Sequence, residues 1–146
     1  MSIYKDNNAG LRPPKMKHIR HIKGEFFDHE EVNALSLEAA LGWIGIWTCS
    51  DKFGRFEWKP KTLKHHIFPY REIDFAKVLS ELLDAGFIEK YIGADGQEYG
   101  RTPSWERHQG INTSEAKSKF EYPAPPSQTP VAPKSKQNGS PIPVRL

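Results

Sequence analysis

Seven of the twelve prolines in this chain of 146 residues fall between Tyr122 and Leu146, and that placement bounds what the rest can fold into. They are Pro123, Pro125, Pro126, Pro130, Pro133, Pro141 and Pro143, separated by Ser, Gln, Lys, Asn and Gly with only isolated apolar residues. Such a stretch cannot bury enough surface to offset the entropy of ordering it. Residues 112–146 are therefore expected as a disordered, polyproline-like tail. The beginning is polar as well and holds Pro13-Pro14, so residues 1–19 are expected as a flexible basic arm. Residues 20–111 remain, enough for one domain around one core.

Inside that span the hydrophobic spacing changes period several times. Asp28 followed by Glu31 has capping-box spacing, predicting a short helical turn to about Ala34. Ser36 marks a second start, after which Leu37, Ala40, Leu41, Ile44 and Trp47 recur at helical spacing, widened by Trp43 and Ile46. Asp51-Lys52-Phe53-Gly54 is turn chemistry, and Arg55-Phe56-Glu57-Trp58 alternates as a short strand. Pro60 suits the first turn of a helix running to about Ile67 with Leu63 inward. Phe75, Val78, Leu79, Leu82 and Leu83 form a regular apolar stripe on a helix predicted from Arg71 to Ala85, with Gly86 as its cap. Two β-prone runs around Asp95-Gly96 read as a hairpin. The expected fold is mostly α with a small antiparallel β-hairpin: a winged helix-turn-helix.

Several segments are also similar to a known group. His21-Ile22-Lys23-Gly24-Glu25-Phe26-Phe27, Leu35-Ser36, Trp47 and Asp51-Lys52-Phe53-Gly54-Arg55 resemble phage and prophage replication-protein N-terminal domains. The likeness continues through Pro60-Lys61, Phe68-Pro69-Tyr70, Leu82 to Ile88, Tyr91, and Trp105-Glu106-Arg107-His108-Gln109. The resemblance implies a winged-helix DNA binder of a bacterial host's cytoplasm, tied to replication initiation or its control. Longer members of the group continue into a further domain where this sequence has its proline-rich stretch.

Charge is segregated. From Lys52 to Arg71 six bases stand against Glu57 alone, whereas Glu72 to Glu106 holds eight acids and three bases. The first 23 residues carry six bases and one acid. Such a distribution predicts a phosphate-attracting face with salt-sensitive, sequence-independent affinity for double-stranded DNA. The candidate contacts are Arg20, Lys23, Arg55, Lys59, Lys61, Lys64, Arg71 and Arg101, each positioning rather than specifying. A solvated surface is the common alternative for such a run. A further rival is a protein-interaction module that inhibits or recruits a host or phage protein. It would use Asp74, Glu81 and Asp84, expected outward on the 71–85 helix, or the Pro123-Ala-Pro-Pro126 and Pro130-Val-Ala-Pro133 segments of the tail.

Catalytic chemistry is not expected. Six histidines and a lone Cys49 have no metal-ligand spacing, and neither a phosphate loop nor a nucleophile elbow occurs. Neither a cofactor nor a metal is expected, Cys49 reads as a small core residue, and no run approaches the roughly 20 apolar residues of a membrane span. Trp105 is expected to pack, and the His108-Gln109 pair after it has no evident purpose in the sequence.

Overall fold

The computed structural model describes residues 17–109, 116 and 119–126. Among them a 3-10 turn (Gly24–Asp28) leads to α1 (Glu30–Asn33) and α2 (Leu37–Cys49). Strand β1 (Arg55–Glu57), α3 (Pro60–Ile67) and α4 (Phe75–Asp84) come next. The strands β2 (Glu89–Ile92) and β3 (Glu98–Arg101) form a hairpin, and α5 (Trp105–His108) closes the order. Five α-helices thus accompany one three-stranded antiparallel sheet among the described residues. None of these helices is long and apolar enough to cross a membrane.

Helix α2 starts where the sequence predicts, because the Ser36 hydroxyl accepts from Ala39 N at 3.1 Å. Its buried stripe differs from the predicted one. Ala39, Trp43, Ile46 and Trp47 are buried, while Leu37 and Leu41 stay exposed. Two indoles cover more apolar area than two leucines, so they decide which way the helix faces. Trp43 meets Trp47 at 5.1 Å and Phe87 at 4.4 Å between ring centroids, and α2, α3 and α4 pack on one another around this cluster. The expected capping box at Asp28 does not form. His29 is the N-cap of α1, and the Asn33 side chain instead donates to the carbonyls of Phe27 and His29 at 2.9 and 2.8 Å.

Helix α4 is shorter than predicted. Its N-cap is Asp74, whose carboxylate accepts from Ala76 N at 3.1 Å, leaving residues 71–74 outside the helix. Asp side chains compete in this way for local amides and so mark helix starts better than helix interiors. At the other end Phe87 N donates to Leu82 O and Gly86 N to Leu83 O, with Gly86 at φ +84°, the paired closure that favours glycine.

The strand order is β1-β3-β2, with Phe56 opposite Gly100 and Tyr99 between Glu57 and Tyr91. Since side chains alternate along a strand, Phe56 points into the core, and Arg55, Glu57, Glu89, Tyr91, Tyr99 and Arg101 share the outer face. The chain ends expected to be loose are partly held. His18 N donates to Thr48 O at 2.8 Å and Lys17 Nζ to His66 O, which fastens the end of the predicted arm. Residues 119–126, predicted as disordered tail, lie against the outer face of the sheet, where Tyr122 N donates to Asp51 Oδ2 at 2.7 Å. Composition misjudged them because Phe120 and Tyr122 pack on each other (4.9 Å between centroids) and Tyr122 on Tyr99 (5.7 Å). The remaining parts of both expectations, Pro130-Val-Ala-Pro133 included, lie outside the described residues.

Candidate nucleic-acid interface

Of the eight basic candidates, four make contacts within the fold, three line one groove and one is exposed between α3 and α4. Arg20 is part of the scaffold. Its guanidinium donates to Trp47 O and Ser50 O, both at 2.9 Å, and lies 4.8 Å from the centre of the Trp105 ring. A cation there satisfies carbonyls at the carboxyl end of α2, which have no partner inside the helix. Lys23 Nζ donates to Arg107 O at 2.7 Å. Arg55 donates to Tyr122 O at 2.9 Å, approaches Glu121 at 3.5 Å and rests over the Phe53 ring. Arg101 pairs with Glu89 at 2.9 Å across the outer face of the sheet. These four candidates also make contacts within the fold. In each, backbone carbonyls or a carboxylate supplied by the fold hold the charged group in place.

Lys59, Lys61 and Lys64 behave differently. They line one groove of about 750 Å³ between the amino ends of α3 and α4, walled by Trp58, Pro60, Ile73 and Phe75. Lys59 touches Glu57 at 3.7 Å, whereas Lys61 and Lys64 pair with no carboxylate among the described residues. The N-cap of α3 is Lys59 itself, so no side chain caps that end. Uncapped amino-terminal backbone of α3 and the lysine residues thus border the same groove. Arg71 is exposed in the connection between α3 and α4. Asp74 is the one carboxylate lining the groove, and it is engaged by Ala76 N.

The acidic residues of the rival reading are also redistributed. Glu81, expected outward, accepts from both Ser36 N and Ser36 Oγ at 2.7 Å. It supplies from α4 the reciprocal carboxylate that a capping box would draw from α2 itself. Asp74 caps α4, and Asp84 alone of the three is exposed without such a role.

Two further sites were missed or only half read in the sequence. Gln109, almost fully buried, accepts from His21 N at 2.9 Å and donates to His21 O at 2.8 Å. Only a side-chain amide offers that donor–acceptor pair, which explains why Gln stands after the Trp105 turn. Trp105 is buried, its Nε1 donates to Lys52 O at 2.8 Å, and its ring lies against Gly54. A Cβ on Gly54 would come within 2.6 Å of that ring, and Gly54 sits at φ +81°.

Asp51 is buried beneath this turn and accepts from Phe53 N at 2.9 Å and Arg55 N at 3.0 Å in addition to Tyr122 N. Burial pushes its carboxyl up, against those amides and Arg55, which pull it down. Burial likewise raises the Cys49 thiol, which packs against the core as expected from its neighbours. Among the described residues no group of three or more His, Cys, Asp or Glu is placed to hold a metal ion. Searches of protein-family models, of curated proteins and of solved structures return no match to this chain.

Proposed function

We propose that this chain is a non-enzymatic winged-helix protein that binds double-stranded DNA in a bacterial cytoplasm, in phage-type replication initiation or its control. The observation that carries the reading is the convergence of Lys59, Lys61 and Lys64 on one groove at the amino ends of α3 and α4. The order helix, strand, helix, helix, hairpin, with sheet order β1-β3-β2, is that of a winged helix and supports it. In that arrangement α4 is the helix offered to the major groove, and its amino end carries the base-edge contacts. The lysines beside it grip phosphates. Asp74 and Glu81 are held at helix ends by Ala76 N and Ser36, which leaves Asp84 alone of the three acids open to a basic partner and favours DNA over a protein bound to an acidic face.

Fluorescence anisotropy with labelled duplexes at two salt concentrations tests the proposal. Lys61→Glu with Lys64→Glu should weaken binding to all sequences about equally. Each lysine lost should flatten the logarithmic salt dependence by about one. Affinity unchanged by the double reversal, or no binding at low salt, would overturn it.

A further inference from the structure

The outer face of the sheet makes contacts that the DNA reading does not use. Side chains from three places converge there on a single extended strand of backbone. Asp51 Oδ2 accepts from Tyr122 N at 2.7 Å, Arg55 Nη1 donates to Tyr122 O at 2.9 Å, and Tyr91 Oη donates to Pro123 O at 2.7 Å. The Tyr122 ring sits 5.7 Å from that of Tyr99, itself buried, and Glu121 reaches Arg55 at 3.5 Å. Main-chain donors and acceptors are thus read in order by fixed side chains, while one aromatic residue is held against an aromatic wall. Those are the elements of a peptide-recognition site.

The seated segment has the matching properties. Tyr122 precedes Pro123, which biases it to extended backbone, and Pro125-Pro126 stiffen its far end. Little conformational entropy remains to be lost on docking.

We propose that the Asp51–Arg55–Tyr91–Tyr99 face is a binding site for an extended Tyr-Pro segment with an acidic residue before the tyrosine, occupied here by the chain's own residues 120–126. Its occupant in trans is a proline-rich segment of another protein with that chemistry. Ten residues of sequence join Gln109 to Phe120, so the chain's own segment is present at an effective concentration on the order of millimolar. A second copy offers the same segment without that advantage and does not displace it. A partner segment wins by improving the Arg55–Glu121 contact, which at 3.5 Å lies beyond the usual hydrogen-bond range.

The test uses the full chain carrying Tyr122→Ala and Pro123→Ala, which empties the site, and a fluorescent peptide with the sequence of residues 119–126. The expected result is saturable binding, lost when the peptide's tyrosine is replaced by alanine. Adding Tyr91→Phe to the chain should weaken it roughly threefold to tenfold, the loss of one hydrogen bond. No saturable binding, or equal binding of the alanine peptide, overturns the proposal. In the unaltered chain the Tyr122 amide should exchange slowly with solvent and faster when excess peptide is added. Exchange at the rate of an open chain would show the site unoccupied and sink the idea without any substitution. Concentration-dependent dimers of the unaltered chain that excess peptide dissolves would assign the site to a second copy and overturn the partner assignment.

Discussion

Two regions of this molecule are rich in basic side chains, and they put them to opposite uses. Around the carboxyl end of α2 and the outer sheet face, Arg20, Lys23 and Arg55 donate to backbone carbonyls of segments far away in sequence, and Arg101 is paired across the sheet. At the amino ends of α3 and α4, Lys61 and Lys64 line a groove and pair with no described carboxylate. The residue types follow the division in part. A guanidinium satisfies several carbonyls at fixed angles, whereas an ammonium on a flexible stem is a point charge that suits phosphates. A count of formal charge along the chain does not reveal this division, in which half of the expected contacts are also held within the scaffold.

Substitution should separate the regions sharply. Arg20→Leu leaves the Trp47 and Ser50 carbonyls without their charged donor and removes the cation from the Trp105 ring, and should cost about 2–4 kcal/mol of stability. Lys61→Leu should stay within about 0.5 kcal/mol, as surface changes usually do. Urea unfolding of both variants measures the contrast, and equal losses would erase the distinction. On the scaffold side, Gln109→Met keeps the volume but strands both polar atoms of His21 backbone, so a loss of about 1–3 kcal/mol is expected in the same experiment. A neutral result would make the Gln109 bridge ornamental.

How much of the fold is legible in the sequence depends on the range of the interactions involved. Ser36, Pro60 and Gly86 act on amides within a turn or two of themselves, so spacing alone places the ends they mark. The stripe of α4 is legible because Phe75, Val78, Leu79 and Leu82 need only helical geometry to share a face. Glu81 capping α2 from 45 positions away, Gln109 bridging to His21 and Arg20 closing α2 depend on which elements meet, and no local pattern carries that. The docking of residues 120–126 is hidden for a related reason. Their prolines lower the tendency to fold alone, yet the same prolines make them a good ligand for a preformed face. Of the proposed interface, the α3 lysines are legible from the charge run, while the contact of Arg55 with Tyr122 is not.

The smallest effect concerns pH and belongs to the scaffold side alone. Tyr91 must keep its proton to donate to Pro123 O, and burial pushes its phenol up to about 12; Asp51 and Asp95 add to the rise while Arg55 and Arg101 oppose it. In the unfolded chain the same phenol titrates near its ordinary value of 10.0. The folded state therefore holds the proton more tightly. The stability this confers is complete below the unfolded value and is lost as pH rises through the folded one. Between those limits the docked segment should loosen, seen as faster exchange or cleavage near Tyr122. Tyr91→Phe should reduce that dependence without abolishing it, because burial also raises the Tyr99 and Tyr122 phenols packed at the same face. The DNA binding proposed for Lys61 and Lys64 involves no group at the sheet face, so on that proposal the Tyr91→Phe chain should match the unaltered chain in affinity for duplex DNA at neutral pH. A variant that lost both would tie the two regions together and refute their independence.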